Sequence, residues 1–280
     1  MLVPVLIATL STVAGGLSDL SASELDAYVA DLASREPAFG DRLVSVVRFA
    51  LGTPYAGGPL GEGPNGRYDT DPLVDYSRVD CVTFVEQSIA LAASSSTAEA
   101  FEKLQRIRYR EGQIAFENRN HFMVADWLRH NGFCSDVTES LGVPVAHVKR
   151  TVGRVHFFRV SGAEELARRS EDEVIDLTYV ASADASRAEP HLPSPALVCF
   201  VGKIDWLFVV HCGIYVRENG NGTLYHASSD EGQVAATDFV EYVTGSARHL
   251  GFVAYAIREP EWPATLSEES PSRDREEKAE

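Results

Sequence analysis

The chain is poor in sulfur and in basic residues, and it lacks any long apolar run. Of its 280 residues only four are cysteine and two are methionine. The cysteines, Cys81, Cys134, Cys199 and Cys212, are irregularly spaced and form no CxxC, so neither a zinc knuckle nor a redox pair is signalled. Cys199 and Cys212 sit in apolar, strand-like runs, where a buried free thiol is the default. Twenty-five Lys and Arg face 41 Asp and Glu, a formal net charge of −16. Such a chain is repelled by nucleic acid and by anionic membranes, which excludes both as natural partners. The cluster Arg106, Arg108 and Arg110 reads as a solvated helix face. No internal repeat and no long linker divides the chain.

The apolar stretch at the start, MLVPVLIATLSTVAGG, is too short to span a bilayer. It has the h-region and small-residue end of a signal peptide but no basic n-region. Residues 1–16 are therefore expected to be a signal-like segment, with the mature protein periplasmic. A single catalytic domain is expected over 17–262, and an acidic, proline-bearing disordered tail over 263–280.

Between these ends the pattern is α+β, helices first and strands afterwards. Ser21, with Glu24 at the capping-box position, opens a first helix, and RLVSVVRFALG makes a second. TPYAGGPLGEGPNG is a loop by its proline and glycine. Apolar residues at 82, 85, 89 and 92 give a helix that starts at Cys81, and further helical stretches cover roughly 97–108 and 121–130. From residue 173 onward short runs rich in branched and aromatic residues read as strands, interrupted by the helix ATDFVEYV.

Cys81 is the candidate nucleophile. It follows Asp80, a good N-cap, and a thiol in the first turn of a helix feels a positive field that favours thiolate. His211 is the candidate base, with Gly213 leaving space beside its imidazole. The segment ENGNG between two strands holds two Asn-Gly pairs, a strong hairpin signal. A two-residue turn at Asn219-Gly220 sets His226 opposite Gly213, on the face of His211 and diagonal to it at roughly 7–8 Å between Cα atoms. A turn at Asn221-Gly222 keeps the face but carries His226 too far away. Cysteine, histidine and a second polar group that orients the histidine are the parts of an acyl-transfer triad. The Cys81 backbone N–H and the Tyr55 hydroxyl are candidate oxyanion donors.

The order GTPYAGG (52–58), VDCVTFVE (79–86), HCGIYV (211–216) and LYHAS (224–228) resembles the NlpC-type papain-like cysteine hydrolases of peptidoglycan. RIRYREGQ followed by ENRNHFMVADWLRHNG resembles their N-acetylmuramoyl-L-alanine amidase-like branch. The resemblance implies a papain-like core, with the nucleophile helix packed on an antiparallel sheet or small barrel. It implies Cys81 as nucleophile, His211 as base, His226 as third residue and Tyr55 as an oxyanion or substrate contact. Asn120, His121, Asp126 and Trp127 match the branch motif and, with Asp80, are expected among the substrate-binding residues. A helix with Asp126 exposed and Trp127 buried would explain those two as structure.

The reaction implied is hydrolysis of the amide between the lactyl group of N-acetylmuramic acid and L-alanine, in soluble anhydro-muropeptides, by a monomer without metal or cofactor. The alternatives are a γ-D-glutamyl-diamino acid endopeptidase and a non-catalytic wall-fragment binder. A lipid acyltransferase on the same core would place its histidine before its cysteine, the reverse of the order here. A metal site of His211, Cys212 and His226 conflicts with the strand period, because adjacent residues point to opposite faces. Two departures stand out: PSPALVCF replaces the usual Gly-Asp turn before the histidine strand, and Cys212 stands where valine is usual.

Overall fold

The computed structural model describes residues 16–203 and 209–262. The apolar run before Gly16 and the acidic tail lie outside the described residues. The chain begins with helices α1 (Ala22–Arg35), α2 (Phe39–Phe49), α3 (Cys81–Ala92) and α4 (Thr97–Arg108). The first is started as expected: Ser21 Oγ accepts from the Glu24 amide, and a Glu24 carboxylate oxygen accepts from the Ser21 amide at 2.9 Å. The third is the axle of the molecule, since every residue from Thr83 to Ala92 is buried. It packs against α2, α4 and the sheet.

The stretch expected to be helical over 121–130 is instead a π-helical turn, Met123–Trp127, running into the short α5 (Leu128–His130). The Trp127 amide donates to the Phe122 carbonyl at 3.0 Å, five residues back, and an Asp126 carboxylate oxygen accepts from the Phe122 amide at 3.1 Å. Two strands follow, β1 (Cys134–Asp136) and β2 (Val145–Val152), then α6 (Arg154–Val160) and α7 (Glu164–Arg169). The rest comprises β3 (Glu173–Ala181), α8 (Ala185–Ala188), β4 (Ala196–Gly202), β5 (Val209–Glu218), β6 (Asn221–Ser228), β7 (Gln233–Asp238), α9 (Phe239–Gly245) and β8 (His249–Ile257). Strands thus begin before residue 173, and helices recur after it.

The strands form one antiparallel sheet in the order β2-β3-β8-β4-β5-β6-β7, with β1 also on β8. The architecture is the expected α+β. Central strand β4 is buried at every residue, so it reads as a continuous apolar run rather than an alternating one. Its side chains still alternate: Leu197, Cys199 and Val201 join the core beneath α1–α4, while Ala196, Val198 and Phe200 join a second core shared with α8 and α9. A bulge breaks the β4–β5 ladder: Phe200 opposes His211 and Val201 opposes Val209, leaving Val210 as the extra residue. Bulges re-aim neighbouring side chains, and this one lies beside His211.

Within the Arg106–Arg110 cluster Arg110 is exposed as expected, and Arg108 departs from a solvated face. Arg108 is buried, donates to the Leu60 carbonyl at 3.0 Å, and lies 3.5 Å from Glu86. A helix side chain that supplies donors to a buried proline-glycine loop is worth more inside than in water.

Candidate active site

Asp80 caps α3 as its position predicts. Its carboxylate accepts from the Thr83 amide at 2.8 Å and from the Gly58 amide at 3.0 Å, while its own amide donates to Thr83 Oγ1 at 2.8 Å. One residue thus starts the helix that opens with Cys81 and pins the loop that carries Tyr55. That loop is strapped on both sides. The Tyr55 amide donates to the Gly232 carbonyl at 2.8 Å, and Ala56 and Val79 bridge the loop to the start of α3. Burial first, and then the negative charge at Cys81, raises the Tyr55 phenol above its ordinary range. The structure therefore brings Tyr55 beside Cys81.

Hairpin β5–β6 has the register that the Asn219-Gly220 turn requires. Glu218 opposes Asn221 and Ile214 opposes Tyr225. Asn219 has φ 51° and Gly220 φ 87°, the two positive values of a type I′ turn. Continued one pair along, the register sets His226 opposite Gly213. A Cβ on Gly213 would sit 2.6 Å from the Tyr225 carbonyl oxygen and 2.9 Å from His226 Cβ. Glycine is required there by close approach.

His211 and His226 meet through Nε2 and Nδ1 at 2.8 Å. Burial, and next the neighbouring His211, lowers the His226 pKa to about 3, so this ring stays neutral. A neutral imidazole has one N–H. Placed on Nε2, it donates to Thr237 Oγ1, 3.2 Å away, and leaves Nδ1 to accept from His211 Nε2–H. The remaining His211 nitrogen, Nδ1, is then the one that meets the Cys81 thiol. Tyr242 holds the pair from the side, with ring centroids 4.7 Å from His226 and 5.8 Å from His211.

Several forces act on Cys81. The Cys212 side chain hydrogen-bonds to it, burial opposes ionisation, and a hydrogen bond and the charge of His211 favour it; together they lower its pKa to about 5. The first turn of α3 adds its dipole. The Cys212 thiol also lies 3.3 Å from the Cys81 carbonyl oxygen. Neither Cys212 nor Cys134 competes as a nucleophile. Cys81's proximity and then burial push Cys212 well up, and burial takes Cys134 to about 12. Beside the histidines opens a cavity of about 890 Å³ lined by His211, His226, Tyr242, His249, Lys203 and Arg248 among others. That is ample for a ligand larger than an amino acid.

The branch-motif residues are placed differently. Asn120 Nδ2 donates to the Ile107 carbonyl at 3.0 Å, and its Oδ1 meets His130 at 2.8 Å. His121 bonds the Phe116 carbonyl at 2.7 Å within a nest of Phe116, Phe157 and Phe158, and burial lowers its pKa to about 3. Asp126 is buried rather than exposed, and both its oxygens take a fork from Arg154, at 2.9 and 2.5 Å. Trp127 is fully buried and donates to Glu86 at 2.9 Å. Each of these four residues thus has a polar partner within the protein, and Asp126 and Arg154 also line a second cavity, of about 530 Å³. With Arg108, Tyr109 and Arg119, the same segments fasten the glycine loop: Tyr109 donates to the Gly61 carbonyl at 2.8 Å, and Arg119 forks between Glu62 and Asp69.

Thr237, Tyr242 and the bulge at Val210 were not singled out from the sequence. Thr237 had one faint signal: it lies opposite Leu224 in the ladder, two residues from His226 on the neighbouring strand.

A family model described as AmiA-like, N-acetylmuramoyl-L-alanine amidase-like, matches residues 45–250. No curated protein matches the sequence. Solved structures share the fold. A Legionella pneumophila protein superposes with TM-score 0.76 at 20% identity, over 85% of this chain and 95% of its own. An N-acetylmuramoyl-L-alanine amidase from Bacteroides uniformis gives 0.63 at 21%, over 79% and 99%. A Bacteroides fragilis structure provisionally called a xylanase gives 0.61 at 23%, over 76% and 99%. At such identities the structural likenesses establish fold alone. The family match covers most of the chain and both sides of the site, and on it the chain belongs to the N-acetylmuramoyl-L-alanine amidase-like family.

Proposed function

We propose that the chain is a cysteine-dependent N-acetylmuramoyl-L-alanine amidase with an NlpC-type papain-like core. Cys81 is its nucleophile, His211 its acid and base, and His226 the residue that orients His211. The observation that carries this reading is His211 held between the Cys81 thiol and His226 Nδ1, with the thiol pKa drawn down to about 5. Thiolate Cys81 attacks the carbonyl carbon of the lactyl amide. The Cys81 amide and Tyr55 hydroxyl face the developing oxyanion. His211 Nδ1–H gives its proton to the departing L-alanine nitrogen, leaving a thioester. Water then attacks the thioester, His211 takes its proton, and the Cys81 thiolate leaves.

Neutral His226 accepts from His211 throughout, which steadies the imidazolium without competing for its charge. The substrate assigned is a soluble anhydro-muropeptide, whose glycan and peptide arms suit the open cavity beside the histidines. One catalytic domain over 17–262, export to the periplasm and action as a monomer complete the proposal. Among the described residues no helix is long and apolar enough to cross a membrane.

Mass spectrometry of purified anhydro-muropeptides after incubation with the protein tests the reading. Release of intact stem peptide from the sugar is expected. Cleavage between D-glutamate and the diamino acid would assign the endopeptidase activity instead. Unchanged substrates with every muropeptide class would leave a binding protein.

A further inference from the structure

Cys212 takes no covalent part in the proposed reaction, yet its sulfur sits beside the nucleophile. It reaches the Cys81 carbonyl oxygen at 3.3 Å and hydrogen-bonds the Cys81 side chain. Helix α3 packs directly on β5, so no loop has to move to bring the two residues together. The two thiols differ in access. Cys81 is half-buried, whereas Cys212 is 1% exposed. An oxidant from solvent meets Cys81 first and Cys212 waits behind it.

We propose that Cys81 and Cys212 form a reversible disulfide when the protein meets a peroxide, so that oxidation of the nucleophile is trapped in a recoverable form. The Cys81 thiolate attacks the peroxide O–O bond. Sulfur gains one oxygen and becomes a sulfenic acid, and hydroxide or alkoxide leaves. The Cys212 sulfur then attacks the Cys81 sulfur, the S–O bond breaks, and the Cys212 proton leaves with the hydroxyl as water. Sulfur has lost two electrons and the peroxide has gained them. An external thiol reverses the step by exchange.

Electrostatics give the order of events. While Cys81 is thiolate, its charge helps hold Cys212 protonated. Conversion of Cys81 to a neutral sulfenic acid removes that charge at the moment Cys212 is needed. The competitor is Cys199, which opposes Cys212 directly across the β4–β5 ladder on the same face. It is fully buried with a strongly raised pKa, so it has neither the exposure nor the ionisation to be oxidised first.

The test treats the full-length protein with limiting hydrogen peroxide, blocks free thiols with N-ethylmaleimide, and maps peptides without reduction. The expected product is a Cys81–Cys212 linked peptide, lighter by two hydrogens than the separate pair and abolished by dithiothreitol. Activity should vanish with its appearance and return on reduction. In Cys212→Ser, which keeps a hydrogen-bond donor beside Cys81 but no sulfur, the same dose should carry Cys81 to sulfinic acid, and reduction should not restore activity. Cys199→Val should behave as wild type. Sulfinic Cys81 with free Cys212 in the wild type would overturn the proposal, as would a Cys199–Cys212 link. The peptide map depends only on Cys81 being the reactive thiol, so it decides the matter even if no muropeptide is cleaved.

Discussion

Two polar clusters, both flagged by sequence, turn out to be different kinds of object. In one, Cys81, His211, His226 and Thr237 form a chain of acceptors and donors that ends at a half-buried sulfur beside a cavity. In the other, Asn120, His121, Asp126 and Trp127 meet backbone carbonyls, His130, Arg154 and Glu86, and its Asp126–Arg154 edge borders a cavity of about 530 Å³. On the proposed reading, the chain that ends at a thiol does chemistry, and the network that spends its hydrogen bonds on neighbours holds shape. Recurrence of a motif in a family is compatible with either, and only the partners tell them apart.

The comparison is broken most severely if Cys81→Ala retains activity. Loss on the order of 10⁶-fold in kcat is expected, with melting unchanged. His226→Ala should lower turnover by roughly ten- to several thousandfold, since the base loses its orientation but not its presence. His226→Gln should retain part of the rate, because an amide oxygen still accepts from His211 Nε2–H. Wild-type turnover in the alanine variant would reduce His226 to a hairpin residue.

Asp126→Ala should do the opposite. It leaves the Phe122 amide without its acceptor and Arg154 with Glu173 alone, 3.6 Å away, costing about 2 kcal/mol of stability, while kcat per folded molecule stays near wild type. Urea titration beside a single-concentration rate assay would expose a catalytic role if the rate fell and the midpoint did not.

Acid should separate the clusters as well. Protonation of Cys81 should make its alkylation by iodoacetamide fall off through about pH 5. His121 acts on stability instead: folded, its pKa is lowered to about 3, by burial first, and unfolded it lies near 6.5. The unfolded chain then binds more protons below pH 6.5. Stability is full above that value, falls as pH drops towards 3, and at pH 5 is lower by about 2 kcal/mol from this residue. His226 and His249 carry shifts of the same sign and Glu86 one of the opposite sign, so the His121 share is read as the extra fall of the urea midpoint between pH 7 and 5 in wild type over His121→Gln. Equal falls would contradict the burial of a neutral His121. The smallest effect is assigned to Thr237→Val, which removes one neutral hydrogen bond to His226, worth about 1 kcal/mol, or severalfold in kcat.

Local signals explain what was legible. The Asn-Gly turn and the strand period of two sufficed to put His226 beside His211, because both act over a dozen residues. The Asp80 cap and the apolar spacing behind it sufficed for α3, and the helix expected over 97–108 spans Thr97–Arg108. What escaped was set by distant partners. Arg108 looks like any arginine on an amphipathic helix until Leu60 and Glu86 arrive from elsewhere. The turn at Met123–Trp127 differs from an α-helix by one hydrogen-bond step, with no proline or glycine to announce it. Edge strand β2 alternates burial weakly and carries Lys149 and Arg150, so its identity comes from pairing with β3. Thr237 and Tyr242 reach the site from strands and helices that the triad pattern never mentions.

The type I′ turn at Asn219-Gly220 makes the distance between the two histidines a matter of counting. With the two-residue turn kept, one residue inserted into either strand between positions 211 and 226 turns His226 through the sheet to its opposite face. Two inserted residues return it to the right face but displace it by about 7 Å along the strand, beyond any hydrogen bond. Apart from His211, Gly213, Asn219, Gly220 and His226, side chains in this hairpin are open to exchange, whereas the lengths of its strands are not. Among descendants of such a protein, gains and losses of residues should therefore accumulate in other loops and spare this one.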